Sequence, residues 1–182
     1  MRFVPSFALI FFLCSLPLSG ATHTVTTVLD SGAGSLRQAI DGAQPGDTIL
    51  FDPQLSGEAI TLDGSLFVGV DMVIDASGLE ENVIVDANHQ SSVMKVFPDA
   101  VVEIKNVDFI NGSQGTGGFG GGILNEGDLT LEEVSIINCM TLSGNSANPS
   151  GDGGGIYNVG NLTLIKSTLS GNRTGDGEPD PS

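Results

Sequence analysis

One twelve-residue segment occurs twice in this chain, as GGGILNEGDLTL from Gly120 to Leu131 and as GGGIYNVGNLTL from Gly153 to Leu164, 33 positions apart with nine residues identical. A repeat this regular constrains the fold more than any composition does. Each copy carries an apolar face that it cannot bury alone, so the copies must stack into one continuous core. The pattern extends one copy upstream. Val102, Ile104, Val107, Phe109 and Asn111 lie 27 residues before Leu129, Leu131, Val134, Ile136 and Asn138. The change of step falls in the Gly-, Ser- and Asn-rich stretches Gly112 to Gly120 and Met140 to Gly153, where a solenoid tolerates insertion.

Upstream of the repeat, from Glu58 to Asn111, come short β-type runs broken by Gly, Asp and Asn: Ala59 to Leu62, Leu66 to Val68, Met72 to Ile74, Val83 to Val85, Val93 to Phe97 and Val101 to Ile110. None has helical period, and the connections are too short and too poor in helix formers for βαβ units. The fold class that follows is all-β, a parallel β-helix, with equivalent positions stacked at the ~4.8 Å spacing of paired strands. That stacking predicts inward ladders of Leu129 over Leu162, Leu131 over Leu164 and Phe109 over Ile136. Asn125 and Asn158 share a corner, where Asn tolerates left-handed backbone angles and stacked amides bond from coil to coil. The GGGI glycines are read as freeing the backbone for sharp corners. On the outward side Lys105 falls beside Glu132 and Glu133 beside Lys166, opposite charges that a register slip would scatter.

A short helix is expected ahead of the coils. Ser35 and Gln38 form a capping box, Leu36, Ala39, Ile40 and Ala43 fall on one helical face, and Pro45-Gly46-Asp47 ends the segment before a strand from Thr48 to Phe51. Residues 34–44 are therefore read as a cap that covers the first coil and its open edge. Before it, Thr22 to Leu29 alternates as a strand does.

The first 21 residues combine Arg2, an apolar run from Phe7 to Leu18 and the small residues Ser19 and Ala21, the layout of a secretory signal peptide. The run is shorter than the ~20 residues that span a bilayer, and no later segment is long enough, so no transmembrane segment is expected in the mature chain. The organisation is then a signal peptide over 1–21, an N-terminal cap and first strand over 22–52, β-helix coils over 53–175 and a polar tail over 176–182. The expected location is extracellular or at the cell surface.

The chain carries 22 acidic residues against six Lys and Arg, a net charge of −16, and loss of residues 1–21 removes Arg2 and no acid. Such a surface repels polyanions, which excludes nucleic acid as a partner. Cys139 is the one cysteine outside the leader and, following Ile136 and Ile137, is expected to be buried.

The segment SGAGSLRQAIDGAQPGDTILF, Ser31 to Phe51, resembles the motif called CSLREA, with Gly34 where that name has cysteine and Gln38 where it has glutamate. The GGGI-x-N-x-G-x-LTL units, ending in the LSGN of Leu169 to Asn172, are similar to right-handed parallel β-helix repeats of bacterial exported proteins. They are also similar to the GGA[ILV] elements of chlamydial polymorphic outer-membrane proteins. The resemblance implies a fold and export, and leaves the activity open.

Parallel β-helices also host polysaccharide lyases and hydrolases, which need a base, a charge stabiliser and often calcium, or paired carboxylates. The candidates here are isolated: His23 beside the cleavage point, His89 in the turn Asp86 to Gln90, Arg37 in the cap and Arg173 in the last turn. The Asn-Thr-Asp, Gly-His-Gly and Arg-Ile-Lys elements of β-helical pectin hydrolases do not occur, and Gly117 to Gly122 lacks the aspartate of the nonapeptide calcium repeat. No catalytic residue, metal site or cofactor is therefore assigned. The expected function is that of a non-catalytic module for adhesion or for interaction with an extracellular glycan or cell-surface component. The alternatives are a fragment of a lyase or glycosidase whose catalytic coils lie elsewhere, and a structural stalk. After Asn172 no apolar cap follows, which points to a fragment of a longer array or to end-to-end association through the uncapped C-terminal coil.

Overall fold

A computed structural model describes residues 20–115, 118–142 and 153–175. The expected signal peptide, but for Gly20 and Ala21, and the polar tail lie outside the described residues. The chain winds as a parallel β-helix of about four turns. Its first sheet stacks six strands, Thr22–Val25, Asp47–Phe51, Met72–Asp75, Val101–Lys105, Asp128–Glu132 and Asn161–Ile165. The second stacks Ala59–Thr61, Val83–Asp86, Val107–Ile110, Ser135–Ile137 and Thr168–Ser170, and the third stacks Leu66–Val68, Met94–Val96, Ile123–Asn125 and Ile156–Asn158. A short fourth sheet of Ser113–Gln114, Met140–Leu142 and Arg173–Gly175 follows the second sheet in the later coils.

Each strand is three to five residues long in most coils because every second side chain points inward and the chain must turn after two or three of them. The inward rows are apolar and run through successive coils. Ile49, Ile74, Ile104, Leu131 and Leu164 form one row. Ile60, Val85, Phe109, Ile136 and Leu169 form another. Burying each Leu, Ile or Phe in such a row contributes about 1.5–3 kcal/mol, and a one-residue slip would turn the whole row outward.

Turning requires left-handed backbone at fixed points. Asn106 (φ 55°), Glu133 (φ 54°) and Lys166 (φ 49°) turn the chain from the first sheet into the second. Asn111 (φ 54°), Asn138 (φ 55°) and Gly171 (φ 64°) turn it out of the second. Asn and Gly adopt this conformation at low cost, whereas Glu and Lys give up roughly 1–2 kcal/mol each. The run Val101 to Ile110 is accordingly two strands divided at Asn106, not one.

The N-terminal cap is helix α1, Leu36–Gly42. The Ser35 hydroxyl accepts the Gln38 N–H at 3.1 Å, and the Gln38 side-chain oxygen accepts the Gly34 N–H at 2.9 Å. Leu36, Ile40 and Ala43 are buried, and the helix packs on the Thr22–Val25 and Leu66–Val68 strands. Arg37 fastens it there. Its guanidinium donates to the Ser65 and Gly64 carbonyls at 2.7 and 2.6 Å and to Asp30 at 2.6 Å. The Arg37 hydrogen bond holds the Asp30 carboxyl below the usual carboxylate range. Thr22–Val25 pairs directly with Asp47–Phe51, so the segment before the helix is itself a strand of the first sheet, shorter than the alternation to Leu29 suggests.

Candidate binding face

The outward side of the third sheet gathers the exposed aromatic residues. Outside the first 21 residues the chain has six aromatic side chains, Phe51, Phe67, Phe97, Phe109, Phe119 and Tyr157. Phe51 and Phe109 are buried in the core. Register places Phe67, Lys95, Leu124 and Tyr157 in one outward row, one residue from each coil. Just past the ends of the last three of these strands lie Phe97, Glu126 and Val159. Phe67 is 55% exposed, Phe97 38%, Phe119 40% and Val159 65%, high values for side chains of this size.

The aromatic rings form two pairs, one at each end of the sheet. Phe67 and Phe97 lie 6.1 Å apart between centroids, tilted by 37°. Phe119 and Tyr157 lie 4.6 Å apart, tilted by 35°. Between them Lys95 bonds Glu126 at 2.9 Å while its ammonium sits 4.9 Å from the Phe97 centroid. The only cation of this face is thus matched by a carboxylate among the described residues. Such a surface offers flat π faces and apolar edges with little net charge.

Beneath the face, the inward row changes character from Val68 and Val96 to Asn125 and Asn158. Asn125 is fully buried, and its amide donates to the Asn158 side-chain oxygen at 2.6 Å, the Asn161 carbonyl at 2.9 Å and the Gly127 carbonyl at 3.2 Å. Its own oxygen accepts the Gly127 N–H at 3.2 Å. The amide stack thereby holds the Glu126-Gly127 turn and so the position of Glu126 at the edge of the face. Asn125 and Asn158 stand in strands without left-handed backbone, contrary to the expectation that they form the corner. The left-handed positions are Gly120 (φ 64°) and Gly153 (φ 69°), the first glycine of each GGGI. The second and third glycines are needed for close approach. A Cβ on Gly121 would drive into the Met140 and Gly154 carbonyl oxygens.

The remaining residues singled out from sequence have structural surroundings. Leu129 pairs with Leu162, Leu131 with Leu164, and Phe109 with Ile136. Leu129, Leu131, Phe109 and Ile136 are buried, whereas Leu162 is half-buried and Leu164 is 42% exposed, because their coil is the last that the described residues stack. Glu133 and Lys166 bond at 2.8 Å, yet they occupy a left-handed corner and not the outward strand positions expected of them. Their pair continues a polar ladder, since Asn106 donates to both Glu133 and Asn82 at 3.3 Å. The Lys166 hydrogen bond, then that of Asn106, lowers the Glu133 carboxyl below its ordinary range. Lys105 stands in register with Glu132, but their contact is 4.0 Å and the nearer carboxylate is Glu103, at 3.2 Å.

His23 bonds the Asp47 carboxylate at 2.7 Å at the start of the first sheet. His89 sits at φ 55° and lines, with Arg173, Asn111 and Asn138, a polar recess of about 270 Å³. No group of three His, Cys, Asp or Glu among the described residues is arranged to hold a metal ion. No helix among them is long and apolar enough to cross a membrane. Sequence reasoning missed the aromatic face. Its signal is the middle residue of the third-sheet triplets Leu66-Phe67-Val68, Met94-Lys95-Val96, Ile123-Leu124-Asn125 and Ile156-Tyr157-Asn158, visible only once all four coils are aligned. Comparison with protein families, curated proteins and solved structures finds no match to the chain.

Proposed function

We propose that the chain is an exported, non-catalytic β-helix module that binds a glycan at a cell surface. The observation that carries this reading is the outward face of the third sheet, where Phe67, Phe97, Phe119 and Tyr157 are held in two ring pairs on a rigid scaffold. Exposed aromatic side chains on regular strands lose little conformational freedom when a ligand stacks on them, which favours binding. The leader-like composition of residues 1–21 and the resemblance to exported β-helix repeats support the location. Several of the polar groups that could serve chemistry are engaged in the scaffold, His23 with Asp47, Arg37 with Asp30, Lys95 with Glu126 and Lys166 with Glu133, while His89 and Arg173 line the polar recess away from this face.

A glycan array probed with the chain, and with Phe67→Ala and Tyr157→Ala variants, tests this reading. Binding that is weakened in both variants is the expected result. Absence of glycan binding together with turnover in a polysaccharide lyase or glycosidase assay would overturn it. Export is tested separately, by sequencing the N-terminus of the protein recovered outside expressing cells, which is expected to begin at Thr22.

A further inference from the structure

The two ring pairs lie at opposite ends of the third sheet, each anchored by one end of the Phe67–Tyr157 row, and this arrangement specifies more than glycan binding as such. We infer that the face holds a neutral oligosaccharide chain lying along the solenoid axis, with one sugar ring stacked on the Phe67/Phe97 pair and a later ring of the same chain stacked on the Phe119/Tyr157 pair. The inference rests on the glycan-binding reading and deepens it.

Three observations set the ligand's chemistry. First, Phe67 and Tyr157 stand on strands three steps apart in one row, which at ~4.8 Å per step separates their backbones by about 14 Å. A single sugar ring cannot touch both pairs, and a chain of several can. Second, among the described residues the face has no unmatched cation: Lys95 is bonded to Glu126 at 2.9 Å, and the whole chain carries a net charge of −16. An anionic chain would meet repulsion without a local charge to offset it, so the ligand is neutral. Third, Phe67 and Tyr157 lie in one outward column and Phe97 in a second about 7 Å away, with Phe119 stacked on Tyr157, over that ~14 Å length. That footprint is far below the ~800 Å² per partner of a stable protein interface. The charged Lys95–Glu126 pair also divides it where a protein interface would place its apolar centre. A narrow extended ligand fits this shape. Between the pairs, Lys95 and Glu126 present charged hydrogen-bonding groups that suit ring hydroxyls.

The test is calorimetric titration of the chain with neutral β-1,4-linked oligomers of glucose, mannose and N-acetylglucosamine, two and six residues long, and with a six-residue polyuronate. The six-residue neutral oligomer of at least one series is expected to bind one-to-one and at least about tenfold more tightly than the dimer. Phe67→Ala and Tyr157→Ala are each expected to weaken the hexamer by about tenfold, the scale of losing one aromatic stack. Both positions point outward, and unchanged circular dichroism and thermal midpoint establish that the variants remain folded. Equal affinity for dimer and hexamer, or loss in only one of the two variants, would overturn the two-point chain and leave the glycan-binding reading standing. Tighter binding of the polyuronate would overturn the neutral ligand. Absence of binding to every oligomer and to the glycan array, with self-association of the chain that Phe67→Ala abolishes, would remove the glycan reading as well and assign the face to a protein contact.

Discussion

Replacing Asn125 by Leu should be among the most damaging single changes available beneath the aromatic face. The side chain is fully buried; the two hydrogens of its amide nitrogen are shared among three oxygens within 3.2 Å, and its own oxygen accepts the Gly127 N–H. Leucine has a similar branched shape and no polar atom. Among the groups left behind, the Gly127 carbonyl keeps the Asn161 N–H as donor at 2.9 Å, and the Asn158 amide oxygen is exposed and regains water. The Gly127 N–H is different. It is buried and its partner is the Asn125 oxygen, so its orphaning costs about 1–3 kcal/mol. Losing the bonds to the Asn161 and Gly127 carbonyls adds roughly 0.5–1.5 kcal/mol each, and the apolar surface gained by Leu offsets part of the sum. The net expectation is a loss of about 2–4 kcal/mol, read from urea unfolding midpoints. Asn158→Leu is the internal control. That residue is exposed, its bond to the Gly160 carbonyl is replaced by water, and the Asn125 amide that loses the Asn158 oxygen keeps the Asn161 and Gly127 carbonyls as acceptors, so about 1 kcal/mol or less is expected. The reasoning is refuted if Asn125→Leu stays within about 0.5 kcal/mol of the parent, or if Asn158→Leu costs as much.

The close backbone packing at the repeat glycines predicts that Gly121→Ala destabilises the chain by about 1–3 kcal/mol, whereas Gly78→Ala, where a Cβ meets open space, changes the unfolding midpoint by less than about 0.5 kcal/mol. Asp47 titrates below the ordinary carboxylate range because its carboxylate accepts the Gln44 N–H and the His23 ring N–H, and then the Ala21 N–H. A depressed pKa means that its contribution is full above the ordinary value of about 3.8 and is lost as pH falls through the lower folded value. Amide exchange of Thr48, which donates to the Ala21 carbonyl, should therefore accelerate across that acid window in the parent, and an unchanged profile in Asp47→Asn would contradict the assignment. Cys139 is fully buried, and burial pushes its thiol up to about 11. Iodoacetamide at pH 8 should label it at least about a hundredfold faster in denaturant than in the folded chain, since the thiolate is the reacting species; comparable rates would place the thiol at the surface.

The parallel coil and its inward rows are legible in the sequence because stacking in register forces chemically similar residues to recur at coil length. Leu129 with Leu162 and Leu131 with Leu164 can be paired by counting alone. The cap is legible for a local reason: Ser35 and Gln38 form the helix start with neighbours three and four positions away. Corners are less legible. Glu133 and Lys166 take a left-handed conformation that neither residue type favours, since the coil path dictates the turn and the 2.8 Å ion pair offsets part of its cost. Likewise Asn125 is a strand residue whose amide satisfies the Gly127 N–H two residues on and the Asn161 carbonyl 36 residues away, a role that its sequence neighbourhood does not show.

The aromatic face belongs to the tertiary structure alone. Phe67, Phe97, Phe119 and Tyr157 follow no common period, because the loops between successive strands of the third sheet differ in length. Sequence determines that coils stack and which side chains point inward, since burial repeats the same requirement in every turn. Outward residues answer to no such repeated requirement, so only the folded register decides which of them become neighbours, and it sets two ring pairs on one side of the solenoid with a matched charge between them.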